Sequence, residues 1–248
     1  MADYKFPTEM VELPSKGYFY ADGHPLSSGK VEVKYMTAKE EDILTSQNLI
    51  QQGIVLDKLL QSLVVDKSIK LDDMLIGDKN ALMVAARVLG YGKEYQFTYD
   101  GIEQSVDLSM LEPTEMDFDK FTKGQNQFNF KLPNSEREIT FKLLTSGDEQ
   151  KISEEIKARE KISKEQSFEL TTRLKNMILS VDGNSEKAYI NNFVDNEFLS
   201  RDSLAFREYL SSITPDINLQ TEVKNSRGGK ETATVPITVE FFWPGTGL

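Results

Sequence analysis

The stretch VKYMTAKEED at residues 33–42 reads as a strand that runs directly into a capped helix. Charged and apolar residues alternate over residues 30–35, which is the pattern of a half-buried strand. Thr37 is followed three residues later by Glu40, the spacing of a capping box. In this motif the hydroxyl and the carboxylate each accept a hydrogen bond from a free backbone amide at the start of a helix. The sequence therefore predicts that a helix begins at Thr37.

The same pattern returns as FKLLTSGDEQ at residues 141–150, with lysine, threonine and an acidic residue at matching positions. Three further pairs occur in the same order along the chain. They are VELPS (11–15) with FKLPN (130–134), LVVD (63–66) with LSVD (179–182), and DKNAL (78–82) with DSLAF (202–206). Four matches in one order predict an internal duplication of a unit of about 110–120 residues, which is within the usual size of a domain.

The first half is predicted to contain short strands, a three-helix cluster and a hairpin. Glycine and proline separate the strands near the N-terminus. Helices are predicted to begin at Thr37, at Gly53 and after Gly77, with Asp78 as the cap of the third. An Asp-Gly pair between two alternating runs predicts a hairpin over residues 94–108.

The second half is predicted to repeat this order. The predicted elements are strands at 128–132 and 138–144, helices at 147–180, 186–197 and 202–212, and a hairpin at 218–242. The fold class is therefore α+β in two similar halves, each with short N-terminal strands, a three-helix cluster and a C-terminal β-hairpin. The predicted boundaries are 1–111 for the first half, 112–127 for a connector and 128–248 for the second half. Mixed charges over residues 148–168 indicate a longer, solvated helix in the second half.

Composition excludes several classes of function. The chain of 248 residues carries a net charge of −11, which argues against a general nucleic-acid binder because such proteins need basic residues to replace counterions. It has no cysteine, so disulfides, thiolate metal sites and cysteine nucleophiles are excluded. The sequence has no run of about 18 apolar residues, so no membrane span is predicted. The N-terminus lacks the pattern of a secretory signal.

No set of residues in the sequence predicts a catalytic or metal site. His24 is the only histidine, and its Gly- and Pro-rich surroundings favour a loop residue over a general base. Ser15 and Lys16 are adjacent, but neighbouring side chains point in different directions, which argues against a dyad. The segment after Asp182 lacks the ligand spacing of a calcium loop and favours a turn. We therefore predict no catalytic residues, no cofactor and no metal.

Three consecutive aromatic residues lie close to the C-terminus, within VEFFWPGTGL at residues 239–248. If this segment continues the last strand, Phe241 and Trp243 share one face and Phe242 takes the other. Either both faces pack within the fold, or one face is a docking surface, since aromatic residues often anchor interfaces. The candidate partner-binding residues are therefore Phe241, Phe242, Trp243 and Pro244. On the docking alternative, deleting residues 241–248 weakens assembly without abolishing folding.

Several segments together resemble a known family. They are LPSKG (13–17), YMTAKEED (35–42), LIGDKNAL (75–82), GYGKEY (90–95), DSLAFR (202–207) and FFWP (241–244). In this order they are similar to the baseplate hub and hub-assembly proteins of T-even-type contractile-tailed phages. The resemblance covers nearly the whole chain. It implies a non-enzymatic protein whose partners are other phage baseplate and tail proteins. The net charge and the lack of a long apolar run independently predict no nucleic-acid partner and no membrane partner.

The resemblance also implies a departure from the family pattern. Relatives carry Cys-x-x-Cys pairs in the hairpins after the helices, whereas residues 97–108 and 221–236 contain no cysteine here. We therefore expect hairpins held by strand pairing and side-chain packing, without zinc.

The leading hypothesis is a hub subunit, or a factor in hub assembly, that acts through protein contacts in the host cytoplasm and then in the virion tail baseplate. The alternative is a transient tail-assembly chaperone that is absent from the mature virion. A third class, a carboxylate-dependent hydrolase, requires two converging acidic residues that the sequence does not nominate. The partner subunit, the stoichiometry and the oligomeric state stay open at this point.

Overall fold

The computed structural model of the protein describes residues 7–161 and 167–242, and it has a mixed α+β fold. In the first half the elements are β1 (Thr8–Glu12), β2 (Lys30–Lys34), α1 (Ala38–Leu44), α2 (Gln47–Gln52), α3 (Val55–Leu63), α4 (Ile76–Tyr91), β3 (Glu94–Tyr99) and β4 (Ile102–Asp107). In the second half they are β5 (Phe128–Lys131), β6 (Glu138–Phe141), α5 (Ser146–Glu160), α6 (Glu169–Met177), β7 (Ile178–Val181), α7 (Lys187–Asn192), α8 (Ser200–Ile213), β8 (Gln220–Lys224) and β9 (Lys230–Thr234).

The strands form several small antiparallel sheets. β1 pairs with β2, β3 with β4 and β8 with β9, while β5, β6 and β7 form a three-stranded sheet in that order. The predicted hairpin over residues 94–108 is confirmed, with Tyr99 paired to Ile102 across the Asp-Gly turn. The α+β class is confirmed, although residues 7–111 contain four α-helices rather than a cluster of three.

The capping box at the start of α1 is confirmed. The Glu40 carboxylate accepts hydrogen bonds from the backbone N–H of Thr37 at 3.0 Å and from its hydroxyl at 2.6 Å. The same carboxylate is fully buried and also accepts bonds from Lys34 at 2.8 Å and Ser62 at 2.7 Å. Burial alone would raise the pKa of Glu40, but these hydrogen bonds outweigh it and lower the pKa to about 2. Glu40 therefore ties β2, α1 and α3 together as an ionised group.

Acidification should remove this contribution. The folded-state pKa of Glu40 lies below its ordinary value of 4.5, so its stabilisation is present above pH 4.5 and is lost as the pH falls toward 2. A difference of this size corresponds to about 3 kcal/mol. We expect Glu40→Gln to lower the free energy of unfolding by about 2–3 kcal/mol at pH 7 and by much less near pH 2.5. Urea unfolding followed by circular dichroism at both pH values measures this.

The matched control for this prediction is Asp42→Asn, since Asp42 is an exposed acidic residue of the same helix. It should change stability by no more than about 0.5 kcal/mol at either pH. Equal losses for Glu40→Gln at both pH values would show that the contribution of Glu40 does not depend on its charge.

A second capping box has the same geometry at the start of α5. Asp148 accepts a hydrogen bond from the backbone N–H of Thr145 at 3.1 Å and pairs with Lys142 at 2.7 Å. In both halves the lysine precedes the threonine by three residues and pairs with the acid six residues further on. Two corresponding sequence stretches thus make corresponding contacts.

The predicted helix at 147–180 is wrong as a single element. α5 ends at Glu160, α6 covers Glu169–Met177, and the chain then becomes β7, which adds to the edge of β6. In the first half α3 likewise ends at Leu63, and Val64 then bridges Val33 of β2. The corresponding contact in the second half joins Ile178 to Phe141. This correspondence pairs Val64 with Ile178, which differs by two residues from the alignment of LVVD with LSVD.

Asp78 does not cap α4, because that helix begins two residues earlier and Leu75 occupies the capping position. The fully buried Asp78 carboxylate instead accepts bonds from the Ser15 backbone at 2.9 Å, the Ser15 hydroxyl at 2.6 Å and the Tyr20 hydroxyl at 2.6 Å. Asp202 holds the corresponding position, the third residue of α8, and accepts bonds from the backbone N–H groups of Asn134 and Ser135. In each half an aspartate in the first turn of a helix therefore binds the turn that follows a Leu-Pro pair.

Contacts also join the two predicted halves to each other and to the predicted connector. Leu75 of the first half forms a β-bridge with Thr145 of the second, and Pro113 of the connector forms one with Ile217. Within the stretch predicted as the connector, Phe118 and Phe121 pack against Phe19, with ring centroids 6.1 and 5.8 Å apart. The buried apolar side chains of the described residues form one continuous cluster drawn from both halves.

Candidate interaction surfaces

The C-terminal aromatic segment lies against the first half. Val239–Phe242 forms a 3-10 turn, so the prediction that the closing hairpin extends to residue 242 is wrong; its last strand ends at Thr234. Phe241 and Phe242 are fully buried, and the Phe241 ring makes an edge contact with Tyr95 of β3 at 4.8 Å. This corresponds to the alternative in which both residues pack within the fold.

The remaining candidates of this segment, Trp243 and Pro244, lie outside the described residues. Partner binding by the C-terminal segment stays a prediction. The burial of Phe241 and Phe242 leaves neither side chain accessible for docking in this conformation.

The charged helix lies mainly on the surface, as its mixed charges indicate. Within α5 only Ser146 and Ile152 are buried. One polar contact joins α5 to α3 in the first half: the Gln150 amide donates a hydrogen bond to the Asp57 carboxylate at 2.8 Å. The predicted continuation to residue 168 includes residues 162–166, which lie outside the described part of the chain.

A largely apolar pocket with a volume of about 240 Å³ lies where the two halves meet. Its wall comes from the start of α4, the segment before α5, helices α6 and α8, and the turn after α8. The lining residues are Leu75, Ile76, Gly77, Leu143, Leu144, Leu170, Arg173, Leu174, Met177, Arg207, Leu210, Thr214 and Pro215. We call this the inter-half pocket.

Gly77 allows the close approach that forms one wall of the inter-half pocket. A Cβ atom at this position would lie 2.0 Å from the Pro215 carbonyl oxygen, which is far inside van der Waals contact. The adjacent Ile76 donates its backbone N–H to Leu144 at 3.3 Å. Leu170, in contrast, is 44% exposed at the pocket, so the pocket opens to solvent beside α6.

Both charged residues of the inter-half pocket are arginines. Arg173 forms ion pairs with Glu149 and, at 3.2 Å, with Glu169. Arg207 is exposed, and within the described residues its side chain makes one hydrogen bond, to the Ser203 carbonyl of its own helix at 3.3 Å. The pocket therefore combines an apolar wall with one positive charge that no described carboxylate neutralises.

A second groove, of about 400 Å³, lies between β1 and α4. Its base includes Val84 and Val88 of α4, and Glu9 and Glu12 lie along the β1 side. Glu12 pairs with Lys30 on the neighbouring strand at 2.8 Å. This groove has acidic rather than basic side chains at its edge, in keeping with the net charge of −11.

The structure does not assemble the remaining sequence candidates into a reactive site. His24 accepts a hydrogen bond from the Leu26 backbone at 3.2 Å and stacks on Tyr20, as expected of a loop residue. Ser15 is bound to Asp78, while the Lys16 ammonium lies over the Phe118 ring. Asp182 lies in a turn and accepts a bond from the Glu138 backbone at 2.8 Å.

Residues 7–161 and 167–242 contain no cluster of three or more histidine and acidic side chains placed to hold a metal ion. In the same ranges no helix has the length and apolar character needed to cross a bilayer.

The fold and its surfaces thus define an α+β protein with several small sheets and grooves open to solvent. The sequence model of the T4 bacteriophage base plate protein family matches residues 8–243. The chain therefore belongs to the T4 bacteriophage base plate protein family. No curated protein and no solved structure matches it.

Proposed function

We propose that this protein is a non-enzymatic component of the baseplate hub, or of hub assembly, and that it acts through contacts with other tail proteins. The observation that carries the proposal is the family match over residues 8–243, nearly the whole chain. The inter-half pocket and the groove beside β1 support it, because each presents apolar surface to solvent next to charged side chains.

We also propose that the chain arose by duplication of one α+β unit, with halves at 1–111 and 128–248 joined by residues 112–127. Two pairs of contacts support this proposal. Glu40 and Asp148 bind the threonine that begins their helices, and Asp78 and Asp202 bind the turn after a Leu-Pro pair. A duplicated scaffold offers two related surfaces to partners in a symmetric or nearly symmetric assembly.

Quantitative proteomics of purified virions against infected-cell lysate tests the hub assignment. We expect the protein at a fixed, low copy number per particle, because a hub subunit stays in the baseplate that it helps to build. Abundance in lysate with none in virions would instead identify the alternative, a transient tail-assembly chaperone. The control is the ratio of two established baseplate subunits in the same samples, which should be constant between particle preparations.

A further inference from the structure

We propose that the inter-half pocket binds a segment of a partner protein. In this segment a bulky apolar side chain is followed closely in sequence by a residue with a carboxylate. This inference rests on the proposed function and names the kind of partner segment that the protein recognises. It is carried by the size of the pocket, the composition of its wall and the charge of Arg207.

The size of the pocket matches one large side chain. An apolar cavity of about 150 Å³ takes up benzene, whereas sites for small-molecule ligands usually exceed about 300 Å³. A volume of about 240 Å³ lies between these limits. It accommodates an aromatic ring such as indole and is small for a free cofactor. Such an anchor in a partly enclosed pocket is typical of the residues that dominate protein interfaces.

The wall of the pocket favours an apolar occupant. Its inner part consists of buried leucines and Met177, which is 7% exposed. The flexible thioether of methionine adapts to the shape of an inserted group and makes favourable contacts with aromatic rings. Leu170 at the opening is 44% exposed and becomes covered when a side chain enters.

Charge selects the residue beside the anchor. The chain as a whole is strongly acidic, yet the charged side chains of this pocket are Arg173 and Arg207. Arg173 already has two carboxylate partners, so its charge is largely compensated. Arg207 presents a planar guanidinium whose donors match a carboxylate. A partner segment with an aromatic residue and an adjacent aspartate or glutamate therefore complements both features of the pocket.

Methyl NMR titration of the full-length chain with two blocked dipeptides tests this inference. The probes are acetyl-Trp-Asp-amide and acetyl-Trp-Asn-amide, which differ only in the charge next to the ring. We expect both to shift the methyl signals of residues that line the pocket. The aspartate probe should bind about two- to fivefold tighter, the range that an exposed ion pair provides. Equal affinities, or shifts outside the pocket only, would overturn the proposal.

Two pairs of variants locate the binding. Leu170→Asp should weaken both probes at least about tenfold, while Leu204→Asp should leave them unchanged, because Leu204 is 51% exposed but does not line the pocket. Arg207→Gln should abolish the preference for the aspartate probe. Arg201→Gln should preserve it, since Arg201 is exposed on the same helix outside the pocket. Equal effects within either pair would contradict the assignment.

Sedimentation of the same variants distinguishes a second copy of this chain as the occupant. One set of results would point to a second copy: the wild-type protein self-associates, Leu170→Asp dissociates it, and the probes do not bind. The pocket would then join two copies of the chain, and the proposal of a separate partner would be wrong. All these readouts use the purified chain, whereas the hub assignment is tested by copy number in virions. Failure of the pocket proposal and failure of the proposed function are therefore separate results.

Discussion

Replacing Phe241 by alanine is expected to lower the free energy of unfolding by about 3–5 kcal/mol. The Phe241 side chain is fully buried and makes edge contacts with Tyr95 at 4.8 Å and with Phe242 at 5.2 Å. Its loss leaves a cavity between the end of the second half and the hairpin of the first. Because Tyr95 also donates its hydroxyl to the Pro236 carbonyl at 3.3 Å, little rearrangement is available to fill that cavity. Urea unfolding followed by circular dichroism measures the loss.

Met110→Ala is the control for this prediction, because Met110 is 75% exposed. It should change stability by no more than about 0.5 kcal/mol.

Deletion of residues 241–248 should abolish cooperative unfolding, the opposite of what the docking alternative implies. A truncated chain that unfolds cooperatively at nearly the original stability would show that the terminal turn contributes little to the core, and it would favour the C-terminal segment as a docking surface.

Local patterns in the sequence predict those parts of the fold that depend on neighbouring residues. The capping box of Thr37 and Glu40 and the hairpin at residues 94–108 are both confirmed. Each is determined by a spacing of a few residues, so a single stretch contains the whole signal. The α+β class follows from the same local signals added along the chain.

Contacts between distant residues could not be predicted in this way. Asp78 has the sequence position of a helix cap, but its hydrogen-bond partners Ser15 and Tyr20 lie about 60 residues away. Hydrogen bonds from these two residues hold the Asp78 carboxylate in the core. Phe241 belongs to an alternating stretch that predicts a strand, yet it lies in a 3-10 turn and its ring packs against Tyr95. The change from helix α6 to strand β7 after Met177 has no strong local signal, because β7 forms by pairing with β6.

The inter-half pocket illustrates the same limit at the level of a site. Its wall combines four segments that are separate in the sequence, and none of them carries a motif that indicates binding. Leu170 and Arg207 look in the sequence like ordinary surface residues of two helices. Gly77 has a specific role in the pocket, because a side chain there would collide with the Pro215 carbonyl oxygen. That oxygen is distant in the sequence, so the need for glycine is visible only in the structure.

Asp78→Ala is expected to cost more stability than the corresponding change Asp202→Ala. Removing the Asp78 carboxylate leaves the backbone and hydroxyl donors of Ser15 and the Tyr20 hydroxyl without an acceptor, and all three are buried. Each unsatisfied donor costs about 1–3 kcal/mol, with some relief from hydroxyl rotation, so we expect a loss of about 3–5 kcal/mol. Asp202 binds Asn134, which is exposed to water, so its removal should cost about 1–3 kcal/mol.

The two aspartates should also respond to pH in opposite directions. Burial raises the pKa of Asp78, and the nearby Asp216 adds to this effect against the hydrogen bonds from Ser15 and Tyr20. Burial likewise opposes ionisation of Asp202, but the bonds from Asn134 and Ser135 outweigh it and lower the pKa of Asp202. A raised folded-state pKa makes the native state gain stability as the pH falls, whereas a lowered one makes it lose stability.

Urea unfolding of both variants between pH 7 and pH 3 therefore tests the environments of the two aspartates. The stability difference between wild type and Asp78→Ala should grow on acidification, while that for Asp202→Ala should shrink. Ionisation of groups shared by all the proteins cancels in each difference, and Asp42→Ala provides a control at an exposed helical aspartate. Differences that change in the same direction would mean that the two buried carboxylates have the same ionisation behaviour. Opposite slopes would show that Asp78 and Asp202 accept similar hydrogen bonds in surroundings that shift their pKa values in opposite directions.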